Sequence, residues 1–244
     1  MSLNLELLKT ELFKAPFIEL ASKQLEEGDE IIAILVAGSQ SNSLATKSSD
    51  IDISIKTLKT WDLEPPIVGE FQGQPLHWWI TPLAREFICW EHPKYMGLIM
   101  TGDYYMNYSS ESILYLNPKY TSVIEFMYKS HSLIQKCVVY HLIRLLKKRL
   151  NWSKQAASIP FSKLFAPLVD FYYVSNNLPI NISLIQKAKS SIKSTEVILT
   201  DEENKELKTA IEWTVDYCNK NSYPIEEMLE WYKEFNQILA SCKN

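Results

Sequence analysis

Glycine is scarce in this chain. There are six in 244 residues, so each is a candidate for a turn or a close backbone approach that a side chain would block. Long apolar runs are absent as well. The longest, Ile31 to Ala37, has seven residues, far short of the roughly 20 that a membrane-spanning helix needs. The first 27 residues mix Leu with Glu and Lys and hold no signal-peptide core, so an intracellular, cytoplasmic protein with no membrane partner is expected. Cysteine is sparse. Cys89, Cys137, Cys218 and Cys242 stand far apart, with neither a CxxC pair nor metal-type spacing, as expected of structural thiols in a reducing compartment. Acidic residues are missing from one stretch: Phe126 to Val169 has no Asp or Glu but six Lys and two Arg, in a chain of net charge −4. Such a block suits a bound phosphate or another polyanion, and it equally describes the solvated back of a helix.

What is present is the material of a folded protein. A 46% hydrophobic content excludes disorder as the main state, and the length allows one large domain or two modest ones. Leu5, Leu8, Leu12, Phe13, Phe17, Leu20 and Leu25 form an imperfect helical face, interrupted at Pro16 and ending at Gly28. Residues 30–37 read as a buried strand and 41–47 as one or two helical turns. Residues 49–55 alternate, with Ile51, Ile53 and Ile55 on one face and Asp50, Asp52 and Ser54 on the other. Residues 67–72 and 75–81 read as a hairpin turning at Gly73-Gln74, which would set Glu70 directly opposite His77. Trp78 and Trp79 are adjacent, so one packs inward and the other is free to stack a base.

After Pro82 the pattern turns helical: a short helix over Leu83–Glu91, a long one over Thr121–Leu150, then Phe161–Asn176, Asp201–Asn219 and Ile225–Ser241. Thr200 followed by Glu203 has the spacing of a capping box. The Tyr-rich stretch from His92 to Pro118 is irregular, and Tyr104, Tyr105 and Tyr108 read as packing residues or as a single-strand platform. The expected fold class is α+β: a mixed sheet with flanking helices over residues 1–115, followed by an all-helical domain over 116–244.

Chemistry concentrates in Ile34-Leu-Val-Ala-Gly38-Ser39, a ten-residue spacer, and Asp50-Ile-Asp52-Ile. Alternation puts both carboxylates on one side of a strand, where two like charges are costly without a cation. Magnesium takes carboxylate and phosphate oxygens together, and two such ions align an attacking and a leaving oxygen. Gly38 admits a phosphate close to the backbone, and Ser39 offers a hydroxyl or its N–H. Phosphoryl and nucleotidyl transfer need these parts. A plain turn followed by an exposed amphipathic strand has the same spacing.

The Gly-Ser, spacer, Asp-x-Asp pattern resembles the signature of the DNA polymerase β-type nucleotidyltransferase superfamily. The wider stretch from Ala37 to Asp52 resembles its RNA-repair-pathway nucleotidyltransferase branch, and Lys136 with Tyr140-His-Leu-Ile-Arg144-Leu-Leu is similar to the basic helix of that branch. The resemblance implies a nucleotidyltransferase-type sheet, a nucleotide triphosphate such as ATP as donor, and two magnesium ions. It also implies transfer of a nucleoside monophosphate to an RNA end, a protein or a small molecule. By position, Asp50 and Asp52 would bind metal, Gly38 and Ser39 the triphosphate, and Lys136 and Arg144 would neutralise it. The superfamily supplies a third carboxylate where this chain has His77, so His77 and a neighbouring Glu70 become candidates for its role. A catalytically silent copy that binds nucleotide or a partner protein is the alternative.

Overall fold

The apolar run from Ile31 feeds strand β1 (Ala33–Ala37), every residue of which is buried. In the computed structural model, which describes residues 4–14, 17–41, 45, 49–60, 69–83, 109–151, 161–193 and 196–242, β1 is preceded by helices α1 (Leu5–Lys14) and α2 (Phe17–Ser22). A four-residue helical turn, α3 (Gly38–Ser41), follows it. Strands β2 (Ile51–Thr57), β3 (Gly69–Phe71), β4 (Gln74–Pro82) and β5 (Ile113–Leu116) complete a sheet of order β3-β4-β2-β1-β5. Only β2 and β4 run parallel, so the sheet is mixed. A 3₁₀ turn (Pro118–Tyr120) leads into helices α4 (Thr121–Lys129), α5 (His131–Asn151), α6 (Phe161–Ser175), α7 (Ile182–Lys193), α8 (Asp201–Lys220) and α9 (Ile225–Ser241). The architecture is α+β, with a helical C-terminal part. Among the described residues no helix is long and apolar enough to cross a membrane.

The sheet buries Ile34, Val36, Ile53, Ile55, Trp78 and Ile80 in one cluster with Leu8 of α1 and Ala21 of α2. At about 25 cal/mol per Å² of apolar surface, such side chains are the main stabilising term of this layer. The described residues form two compact units. The first holds the sheet, α1–α4 and α9 from Leu229 onward; the second holds α5 from Ser132 onward, α6–α8 and the start of α9. In the second unit α8 packs along α6, where Thr214 donates from within the buried seam to the Leu168 carbonyl at 2.8 Å.

Several local expectations change. The hairpin turns at Gln72-Gly73, both with positive φ (51° and 78°), as a two-residue primed turn requires. Phe71 therefore pairs with Gln74, Glu70 with Pro75 and Gly69 with Leu76, and Glu70 does not stand opposite His77. The long helix over 121–150 is two helices, broken at Ser130, whose hydroxyl donates to the Phe126 carbonyl at 2.7 Å and closes the first of them. Helix α7 was not expected, although Asn181 signals it by capping the Leu184 amide at 3.1 Å. Strand β5 lies in the stretch read as irregular. The capping box stands as expected: Glu203 N donates to Thr200 Oγ1 at 3.2 Å and Thr200 N to Glu203 Oε2 at 2.7 Å. Cys137, Cys218 and Cys242 are in no disulfide. Cys89, Tyr104, Tyr105, Tyr108 and nearly all of the helix expected over 83–91 lie outside the described residues.

Candidate functional site

Two β-pairings build the site. Antiparallel β1–β2 pairing sets Ala37 opposite Asp52, and parallel β2–β4 pairing sets Asp52 level with His77. Paired residues share a sheet face. Ala37 at the end of β1, Asp52 on β2 and His77 on β4 thus form a row across three strands, with strand axes about 4.8 Å apart, and Gly38 follows Ala37 directly. Asp50 stands just before β2, two residues ahead of Asp52, and the side chains of Asp50, Asp52 and His77 are half-exposed. The Ser49 carbonyl next to Asp50 accepts a 3.0 Å hydrogen bond from Gln74 Nε2, which fastens the hairpin to the start of β2.

This face is open at one end only. Beyond Asp52 it continues as Ser54 and Lys56, exposed by 2% and 1%. Lys56 Nζ donates to Thr81 Oγ1 at 3.1 Å, and Ser54 Oγ lies 3.4 Å from the same hydroxyl. An alternating strand was expected to leave Ser54 exposed; instead β2 is covered on both faces past Asp52. Sequence reasoning also passed over Lys56, although a lysine on the face of two aspartates was a visible signal. The polar groups accessible on this face of β2 are therefore those at its start.

Gly38 is the tightest point. Its φ is +66°, and a Cβ added there would stand 2.2 Å from Asp52 Oδ2, 3.0 Å from its Cγ and 3.2 Å from its Cβ. The Asp52 carboxylate lies directly against the glycine. Ser39 follows, half-buried in α3. Glu70 is exposed on the same face, since its partner Pro75 is two residues from His77. It sits diagonally from His77, at roughly 7–8 Å. Trp78 is buried in the core and Trp79 is half-buried on the His77 face.

Lys136 belongs to the second unit, where its ammonium lies 3.3 Å from Glu227 Oε1. Arg144 is on α5, two turns further along, with its side chain outside the described residues. Burial raises the carboxyl of Asp170 on α6 to about 6, a feature the sequence did not signal. An open groove among Glu6, Lys9, Thr10, Ile18, Leu114 and Tyr115 contains none of these candidates.

The donor set of the first unit matches a hard divalent cation in part. Asp52, with Asp50 two residues before it, has the carboxylate oxygens such an ion takes, while the third position of the row is an imidazole. Among the described residues no three His, Cys, Asp or Glu side chains converge closely enough to hold a metal ion as they stand.

No protein-family model matches the sequence, and no curated protein is similar to it. Among solved structures, the chain is similar to a nucleotidyltransferase-like protein from Exiguobacterium sibiricum 255-15, at 11% identity over 86% of this chain and 74% of that one. The TM-score is 0.33, too low to carry the assignment of a fold.

Proposed function

We propose that the protein transfers a nucleoside monophosphate from a nucleotide triphosphate to a hydroxyl acceptor, releasing pyrophosphate. The observation that carries this reading is Asp52 level with His77 on adjoining strands, with the glycine of the Gly38-Ser39 turn directly against the Asp52 carboxylate. Asp50 and Asp52 would hold magnesium, which when bound neutralises phosphate charge and aligns phosphate oxygens. Their own contribution is to present two like charges on one strand, a pair that a cation relieves. Ser39 would donate to the triphosphate. His77 would take the proton of the attacking hydroxyl, work for which an imidazole is suited near neutral pH. Glu70, diagonal to it, would orient the imidazole.

A second reading has a specific observation in its favour. His77 stands where the superfamily that the motif resembles keeps a carboxylate, which suits a silent copy that binds nucleotide without turning it over. Titration calorimetry with ATP, GTP, CTP and UTP, each with and without magnesium, separates a nucleotide-binding protein from one that binds none. Label transfer from α-phosphate-labelled nucleotides to RNA ends, protein and small hydroxyl compounds then separates enzyme from binder. Magnesium-dependent binding without label transfer would favour the silent copy, and no binding of any nucleotide would end both readings.

A further inference from the structure

We infer that Gly38 is a positioning residue for Asp52. The space left by its absent side chain is the seat of the Asp52 carboxylate, and the glycine is required for that reason as well as for its backbone angle. The inference rests on the reading of Asp52 as a cation ligand.

Three glycines with positive φ separate the two requirements. Gly28 and Gly73, at +74° and +78°, have nothing within 4 Å of an added Cβ, so only their backbone conformation favours glycine. Gly38, at +66°, has the same conformational need and, in addition, the Asp52 oxygen at 2.2 Å. Asp52 cannot yield by moving its backbone. Its neighbours Ile51 and Ile53 are wholly buried, and β2 is pinned on both sides by the Ala37 and His77 pairings. The remaining freedom is rotation about the Asp52 side-chain bonds. Rotation takes the carboxylate off its seat against Gly38. An alanine at 38 therefore acts on the metal ligand. A glycine that served only to let phosphate approach the backbone would act on nucleotide instead.

The test uses the full chain and manganese(II) alone, titrated by electron paramagnetic resonance. Gly38→Ala is expected to weaken manganese binding about 10–100-fold, the usual cost of disturbing a group that orients a ligand. Gly73→Ala, which imposes the same backbone penalty without a neighbour, is expected to leave manganese affinity unchanged. ATP affinity measured without metal is expected to stay within twofold of wild type in Gly38→Ala. Unchanged manganese affinity in Gly38→Ala, or an equal loss in Gly73→Ala, would overturn the inference, as would a loss confined to metal-free ATP.

Melting temperatures keep the contact itself falsifiable. Gly38→Ala is expected to lower the melting temperature more in the wild-type background than in Asp52→Ala, where the obstructing carboxylate is gone. Equal losses in the two backgrounds would show that no such contact exists. Should Gly38→Ala fail to fold, rescue by Asp52→Ala supports the contact and failure of rescue removes it. If wild-type protein binds no manganese, the cation reading falls and takes the role of Gly38 with it, even where the melting data uphold the contact.

Discussion

Asp29 and Glu30 precede strand β1, and Asp52 lies beside its far end, opposite Ala37, with Asp50 two residues earlier. The first pair is saturated with donors. Asp29 accepts from the amides of Glu30 (2.9 Å), Leu58 (3.0 Å), Lys59 (3.2 Å) and Thr60 (2.7 Å), and from the Thr60 hydroxyl (2.5 Å). Glu30 accepts from Lys119 Nζ at 2.9 Å and the Tyr120 hydroxyl at 2.5 Å. These bonds clamp the turn after β2 and the turn after β5 onto the start of β1. The second pair sits on a half-exposed face, with one carboxylate pressed against a glycine. Carboxylates thus do different work at the two ends. One pair is spent on holding the backbone, while the other is held by the backbone and left facing outward. The difference shows which carboxylates the fold uses as backbone clamps, something their spacing in sequence does not show.

Removing Asp29 is the strongest way to break this comparison. Asp29→Ala leaves four amides and a hydroxyl without their acceptor, and hydrogen bonds to a charged group contribute about 1.5–3 kcal/mol. The expected outcome is a loss of that size in urea unfolding. A loss under about 0.5 kcal/mol, the scatter of ordinary surface substitutions, would mean that water replaces the clamp.

Acid tests both clamps at once. Burial alone would raise the Asp29 carboxyl, but bonds from Thr60, Leu58 and Glu30 outweigh it and hold the group below its ordinary range. Bonds from Lys119 and Tyr120 lower Glu30 likewise. Groups whose folded values are depressed contribute stability above their unfolded values and lose it as pH falls through the folded ones. The share of stability carried by Asp29 and Glu30 is therefore expected to be constant toward neutral pH and to decline as pH drops below ~4. Asp29→Asn should flatten part of that decline, as read from unfolding midpoints across pH.

Glu30→Gln should cost less, below about 1 kcal/mol, because the pair with Lys119 is substantially exposed and an amide oxygen still accepts from Tyr120. A thermal melt is sufficient to check it, and a drop as large as that of Asp29→Ala would reverse the ranking of the two clamps.

The parts of this layout that depend on alternation were legible in the sequence. Ile51, Ile53 and Ile55 are fully buried, and Asp52 between them is half-exposed, as a two-residue period requires. What escaped depended on tertiary context. Register in the hairpin followed from which two residues take positive φ, and Gln72 gave no warning that it would be one of them. The burial of Ser54 and Lys56 followed from what covers the second face, which no local pattern encodes. The contact between Gly38 and Asp52 joins residues fourteen apart through strand pairing, so sequence alone pointed to the glycine without its reason.

The smallest expected effect belongs to the outward pair and decides most about its purpose. Asp50→Asn with Asp52→Asn keeps both shapes and removes two like charges from one face of β2. Neighbouring carboxylates raise each other's energy when both are ionised. Without metal, the double variant should melt no lower than wild type. With magnesium or manganese at about a hundred times the dissociation constant, wild type gains ~2.7 kcal/mol by linkage. In a chain of this size, that corresponds to a rise of roughly 5–10 °C. The double variant should show no such rise. The same exchange at the other end, Asp29→Asn, should lower the melting temperature with or without metal, since an amide in place of the carboxylate cannot accept all five bonds equally well. If the double variant loses as much stability as Asp29→Asn in the absence of metal, Asp50 and Asp52 are structural after all, and the division of labour between the two ends of β1 disappears.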